Sequence, residues 1–339
     1  MRKKINDYSK LKIIFMGTPE FAVPILESIN SNVLSPILVV TQSDKKVGRK
    51  QILTPSPVKI LACRYKIPVF APEKISDISS KLKTLSPELI IVAAYGQILP
   101  KEILDIPKRS CLNIHASLLP KYRGPSPIPA TILNGDRKTG VTLMLMEEKM
   151  DTGPILGQKT LTIKKDETTE SLSKKLSKLG AELLIEILPK WIKGEIKSIP
   201  QNEKEATYTK IIKKEDGKID WGKSALEIER QIRAYSSWPS SYTYWQRAKD
   251  KKQRVKKMLK ILKVNFPSPK SEVPLDFARG RRSPKSKIGT VFLTPKNKLV
   301  VQCGKGVLII KELQLEGKQK MPASEFLRGH PDFVKSTLY

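Results

Sequence analysis

Two histidines occur in 339 residues, and one of them lies in the stretch NIHASLLPKYRG, residues 113–124. Asn113 and His115 stand two apart in an apolar run, so on a strand both side chains leave the same face. Asp151, in KMDTGPIL, follows a second apolar run, GVTLMLM. Asn, His and Asp brought together suit acyl transfer without a covalent enzyme intermediate. An amide N–H and an imidazole N–H can hold the oxyanion of a tetrahedral intermediate. A carboxylate can orient the imidazole and help to take a proton from an attacking amine. Each residue also has an ordinary reading: Asn113 as a strand-end cap, His115 as a satisfied core ring, Asp151 as the turn residue before Thr-Gly-Pro. Spacing alone leaves these open.

The elements that must position the three are legible as alternating strands and helices. KIIFMG, PILVVTQ, PVF, ELIIVAAY and CLNIHA read as short apolar strands. TPEFAVPILESIN reads as a helix with Thr18 as N-cap and Pro19 in its first turn, and SPVKILACRYK as one opened by Ser56 and Pro57. A further helix is expected near residues 74–85. GVTLMLM and ILGQKTLTI suggest an antiparallel edge, and SLSKKLSKLGAELLIEILPKWI a long closing helix. The pattern predicts an α/β fold, a doubly wound, mostly parallel, Rossmann-like sheet. After a helix at KSALEIERQIRAYS the texture changes to KMLKILKVNF, IGTVFLT, KLVVQCG and GVLIIKELQ, separated by Gly and Pro turns. That predicts a small C-terminal β-barrel, OB-like.

Composition narrows the chemistry. Neither a G-x-G-x-x-G turn before a helix nor a Walker loop is present, which disfavours a dinucleotide cofactor or NTP hydrolysis. Cys63, Cys111 and Cys303 are far apart, with no CxxC or Cys/His cluster, so no metal and no disulfide framework is expected. No apolar run reaches the length of a membrane span, and KIIFMG is too short for a signal-peptide core; a cytoplasmic protein with no membrane partner is expected. The formal charge is +30, and residues 247–287 hold 15 Lys/Arg against three acids. Positive charge of that density attracts a polyanion by releasing its counterions, and nucleic acid is the first expectation. In an open α/β sheet the ligand sits beyond the carboxyl ends of the strands, where NIHASLLP falls.

The run from Asn113 to Leu156 combines N-x-H, SLLP, R-G, P-I, a Gly-Val-Thr strand and D-T-G in order. In this it resembles the folate-dependent formyltransferases. IIFMGTPEFAVPIL, TQSDKKVGRKQILTPSPVK, KEDGKIDW and AYSSWPSSYT are similar to the branch of that family acting on methionyl initiator tRNA. The resemblance covers about residues 11–245 and the final strands. It implies that Asn113, His115 and Asp151 are the catalytic trio, and that Ser117, Leu118, Leu119 and Pro120 line the site for the tetrahydrofolate group. It implies 10-formyltetrahydrofolate as co-substrate, no metal, and transfer of its formyl group to the α-amine of methionine on the initiator tRNA.

For the RNA, the resemblance implies that residues 41–55 grip the acceptor end through Arg49, with Lys45, Lys46 and Lys50 beside it. A guanidinium suits phosphate and base edges bidentately, as lysine does not. The linker lysine of the family falls at Ile211 here, with Lys210 or Lys213 as replacements. The expected organisation is a catalytic domain over 1–200, a linker over 201–218, and a tRNA-binding barrel over 219–339 with a basic insertion near 247–287. A monomer is expected. Two rivals remain: a formyltransferase for a sugar nucleotide or purine precursor, which leaves residues 41–55 unexplained, and a non-catalytic RNA-binding protein, which leaves the trio unexplained.

Overall fold

The computed structural model describes residues 11–32, 34–48, 50–250, 253–267 and 287–339, with backbone alone for 246–250 and 253–255. It divides into two compact units. The first holds the chain through Ile128, Arg137–Lys164 and Ser171–Lys210; the second holds Pro129–Asp136, Lys165–Glu170 and Ile211–Tyr339.

In the first unit the strands are β1 (Ile13–Gly17), β2 (Leu38–Val40), β3 (Lys45–Val47), β4 (Ile52–Thr54), β5 (Val69–Phe70), β6 (Leu89–Ala93), β7 (Cys111–His115), β8 (Lys138–Leu145) and β9 (Ile155–Thr162). Seven of them form one sheet, in the order β5-β2-β1-β6-β7-β8-β9. The pairs from β5 to β7 are parallel, and β8 and β9 run antiparallel. Every residue of β1 (IIFMG) and β6 (LIIVA) is buried, as expected of parallel strands covered on both faces. β9 buries little, in keeping with its place at the edge. Ile14, Met16, Leu38, Val40, Ile90 and Val92 pack on one face with Ile75, Ile78, Leu82 and Ile103. The long helix Thr169–Ile192 covers part of the other face. Its Gly180 comes so close that a Cβ there would lie 2.8 Å from Cγ2 of Ile114 on β7.

Of the two predicted N-caps, one forms. Ser56 Oγ accepts from the N–H of Lys59 at 3.1 Å and opens the helix Pro57–Arg64. Thr18 caps nothing. A helix begun at Pro19 would carry Pro24 in its interior, where the missing N–H is costly. The chain instead makes a 3₁₀ turn, Glu20–Ala22, and starts the α-helix at Val23 with Pro24 in the first turn. Thr18 Oγ1 donates to the Tyr95 carbonyl at 2.8 Å and accepts from the Gln42 N–H at 3.2 Å.

The second unit contains the helix Ala225–Ala234, whose Ser224 and Glu227 form a reciprocal capping box. Its strands are β10 (Tyr242–Asp250), β11 (Gln253–Asn265), β12 (Val291–Leu293), β13 (Leu299–Gln302), β14 (Val307–Leu315) and β15 (Met321–Pro322). They follow the antiparallel order β10-β11-β14-β13-β12, with β15 on β14. The C-terminal segment closes this sheet: Leu338 bridges Trp245 on β10, and Thr337 bridges Thr290 just before β12. The result is the expected barrel, filled by Trp245, Leu259, Val291, Leu308, Phe326 and Phe333. The basic run SPKSEVPLDFARGRRSPK, residues 268–285, lies outside the described residues.

Candidate active site

β7 ends at the sheet's carboxyl edge and carries Asn113 and His115 opposite Met144 and Thr142 of β8. Beyond β8 the chain turns through Asp151, whose φ of +56° lies in the left-handed region that Asp tolerates better than most residues. The turn brings the three candidate residues together. Asn113 Nδ2 donates to Asp151 Oδ1 at 3.4 Å, and His115 Nδ1 lies 3.5 Å from Asp151 Oδ2. The Gly124 N–H donates to the same Oδ2 at 2.8 Å. His115 is only 6% exposed. Its Nε2 lies 2.9 Å from the Tyr122 carbonyl. A carbonyl only accepts, so in this arrangement Nε2 carries the proton. Both ring nitrogens therefore have a protein neighbour before any substrate arrives.

The turn after His115 is pinned from β8 and β9. Thr142 Oγ1 donates to the Ser117 carbonyl at 2.7 Å and accepts from the Leu119 N–H at 3.1 Å. Gln158 Nε2 donates to the Leu119 carbonyl at 2.8 Å and to Thr142 Oγ1 at 2.9 Å. Ser117 Oγ donates to the Lys121 carbonyl at 2.6 Å. The Leu119–Pro120 peptide is cis. Leu118 and Pro120 stay half-buried, so the turn offers apolar surface over a backbone whose polar groups are largely satisfied.

A second support comes from residues 199–209. Ile199 pairs with Ile155 at the start of β9, and Tyr208 bridges Arg123 in parallel. Gly124 runs so close to this segment that a Cβ on it would lie 2.8 Å from the Thr209 carbonyl, at a φ of +105°. Arg123 is fully buried. Its guanidinium pairs with Glu203 at 2.6 Å. The hydrogen bond to Glu203 lifts its pKa above the ordinary arginine value, while burial pulls the other way. The same bond holds the Glu203 carboxyl below the usual carboxylate range. Arg123 belongs to the R-G of the motif. Thr142 is the threonine of the Gly-Val-Thr strand, though nothing there foretells its bonds to the turn; Gln158 and Gln201 stand outside any spacing that marks them in the sequence.

The residues expected to meet RNA fall on separate pieces. Lys45 and Lys46 lie exposed on β3, which pairs with β4 as a two-stranded hairpin, and Lys50 lies exposed in the turn between them. Val47, Ile52 and Leu53 on this hairpin are also exposed, at 55%, 60% and 62%. Arg49 lies outside the described residues. Lys210 and Lys213 are exposed, Lys210 at the end of the first unit and Lys213 in the second. Among the described residues no group of three or more His, Cys, Asp or Glu could hold a metal, and no helix is long and apolar enough to cross a membrane.

Known proteins match over most of this architecture. The profile of the family described as Formyl transferase matches residues 10–188, and that of its C-terminal domain matches residues 211–331. Methionyl-tRNA formyltransferase of Halalkalibacterium halodurans is 44% identical over 322 residues, 94% of this chain and 95% of that protein. The protein of the same name from Enterococcus faecalis is 43% identical over 94% of this chain and 96% of its own length. Two solved structures share the fold at low identity. The N-formyltransferase from Helicobacter canadensis, solved with folinic acid and dTDP-3-aminofucose, has a TM-score of 0.60 at 22% identity, over 92% of this chain and all of that one. HypX from Aquifex aeolicus with tetrahydrofolic acid has a TM-score of 0.58 at 17% identity, over 96% of this chain and 48% of that one. With Asn113, His115 and Asp151 gathered at the carboxyl edge of its Rossmann-like sheet and both family profiles matched, this chain belongs to the formyl transferase family.

Proposed function

We propose that this chain transfers the formyl group of 10-formyltetrahydrofolate to the α-amine of methionyl initiator tRNA. The observation that carries the reading is the approach of Asn113 and His115 to Asp151 beside the Ser117–Pro120 turn. The relatives named for this activity match nearly the whole chain, barrel included. The folate supplies the formyl group. The turn fits such a group: Leu118 and Pro120 give apolar surface for a flat heterocycle, and Thr142 and Gln158 leave no open demand for hydrogen bonds at the Leu119 peptide. Asn113 donates to the formyl oxygen as negative charge builds there. The Nε2–H of His115, held at rest by the Tyr122 carbonyl, is the second donor within reach of the site. Asp151 faces Nδ1 of the ring and takes up the proton that the attacking amine loses, while the bond from the formyl carbon to N10 breaks and N10 of the departing tetrahydrofolate gains a proton.

Lys45, Lys46 and Lys50 of the β3–β4 hairpin, together with Arg49 and with Lys210 or Lys213, are the proposed contacts to the tRNA. Exposed aliphatic residues among exposed cations suit a partner that offers both phosphate charge and the apolar faces of unpaired bases. The protein acts as a monomer in the cytoplasm.

The test is a single-turnover assay with 10-formyltetrahydrofolate and methionine-charged initiator tRNA. His115→Ala should lower the rate by about 10²–10³-fold, the cost of losing one oxyanion donor. Arg49→Ala should act mainly through tRNA affinity, and that affinity should fall steeply with salt while folate binding barely changes. Formyl transfer to a sugar-nucleotide amine, with none to the tRNA, would keep the trio and remove RNA from the reading.

A further inference from the structure

The left-handed turn at Asp151 is held by one side chain from 50 residues further along. Gln201 Nε2 donates to the carbonyls of both Asp151 and Gly153, at 2.8 Å each, which uses both amide hydrogens. Its Oε1 accepts from Arg123 Nε at 3.0 Å and Nη2 at 2.9 Å. Arg123 in turn reaches Glu203 Oε2 at 2.9 Å and Oε1 at 2.6 Å, and Tyr208 Oη at 3.1 Å. These five bonds match the five N–H groups of a guanidinium, so the orientation of Arg123 is fixed. The residue next to Arg123 is Gly124, whose N–H holds Asp151 Oδ2. The chain of bonds is therefore a closed ring. It leaves the Asp151 carboxylate through Gly124, passes Arg123 and Gln201, and returns to the Asp151 carbonyl.

We propose that Gln201 is a positioning residue for formyl transfer: by fixing the Asp151 peptide it sets the carboxylate against Nδ1 of His115. The proposal rests on the function proposed above. Without the two donors the Asp151–Gly153 turn can rotate about its peptides and swing the carboxylate away from the ring. A displacement of about 1 Å at a reacting group is enough to cost roughly a hundredfold in rate. Gln201 makes no hydrogen bond to the ring or to the carboxylate oxygens, so its effect reaches the site through the Asp151 peptide and through Arg123.

Two substitutions separate positioning from bulk stability. Gln201→Leu keeps the volume and removes every hydrogen bond. Gln201→Glu keeps an acceptor for Arg123 and removes both donors to the turn, which preserves a folded protein should the leucine variant fail. For either variant the expected result is a kcat lower by about 10- to 100-fold, with KM for folate and tRNA within about twofold of the unchanged protein, as for an interaction made only in the transition state. The second readout is ¹⁵N NMR of the histidine rings at fixed pH, where only His115 and His330 contribute. The His115 ring signals should move in both variants, because the carboxylate facing Nδ1 has moved; those of His330, in the barrel, should not. A kcat within about twofold of the unchanged protein, or a His115 ring whose signals stay in place, would overturn the proposal. If the unchanged protein forms no formylmethionyl-tRNA, the function falls, and the ring signals still decide whether Gln201 holds the turn.

Discussion

Around Asp151 the buried side chains include Arg123, His115, Ser117 and Thr142; inside the barrel they are Trp245, Leu259, Leu308, Phe326 and Phe333. Both regions exclude water, but for different ends. In the barrel, Trp245 meets Phe333 edge-on at 5.0 Å and Phe326 at 6.0 Å between ring centroids. Such packing gains from area and shape and asks for no exact hydrogen-bond geometry. The turns at 117–124 and 151–153 bury polar groups, each of which would be costly if left without a partner. They are tolerated because Thr142, Gln158, Gln201 and Glu203 satisfy them. The contrast teaches where the molecule is specified by bonds and where by volume.

The barrel is the easier of the two interiors to disrupt. Trp245→Ala should cost about 3–5 kcal/mol of unfolding free energy, the usual range for deleting a large core aromatic. Urea denaturation measures it, and a loss below about 1 kcal/mol would mean that the aromatic cluster does not hold the barrel. On the other side, Thr142→Val preserves shape and removes the hydroxyl that joins Ser117, Leu119 and Gln158. Buried groups left without partners should cost about 2–3 kcal/mol, and formyl transfer should slow with it. A neutral result would show that the Ser117–Pro120 turn is held by packing, like the barrel.

One feature is common to both interiors and sharpens the contrast through pH. Burial pushes the thiols of Cys111 on β7 and Cys303 after β13 from 9.0 up to about 12. Folded thiols so raised stay protonated while unfolded ones ionise. The stability they confer is complete below pH 9 and is lost as pH climbs toward 12. Each should contribute a fall of about 1.4 kcal/mol per pH unit over that window. Cys111→Ala and Cys303→Ala should each flatten the alkaline limb of a stability–pH curve, and an unchanged limb would contradict the burial argument. The smallest effect is expected at Tyr95, at the end of β6. Its hydroxyl is buried with no partner among the described residues, and burial raises its pKa to about 12. Tyr95→Phe removes that unmet demand and should stabilise the protein by about 1 kcal/mol; a clear loss of stability in thermal melts would reveal a hidden partner.

Much of this was readable in the sequence. The alternation of apolar strands and helices, the antiparallel edge and the Ser56–Pro57 helix start are local patterns, and locality is what a sequence displays. Asn113 and His115 share a face because a strand repeats every two residues. The resemblance carried by N-x-H, SLLP and D-T-G pointed to the third member. What the sequence hid was reach. Thr18 looks like a cap until Pro24 moves the helix start, and then its hydroxyl serves Tyr95 from 77 residues away. Residues 201–218 read as a polar linker because Gln201, Glu203 and Tyr208 are polar without period. Only tertiary pairing, such as that of Tyr208 with Arg123, shows that its first part, residues 201–209, lies against the site.

That pairing also governs when the site can exist during synthesis. Asn113, His115 and Asp151 have all been made by the time the ribosome passes residue 151. The residues that clamp the Asp151 turn and Arg123 lie at 201–208, and the bonds to Arg123 span 78 to 85 positions. Contacts of such long sequence separation form late, because the loop they close must first be ordered. A nascent chain therefore carries the three reactive side chains for some fifty residues of elongation before it gains the fixed geometry that makes them useful.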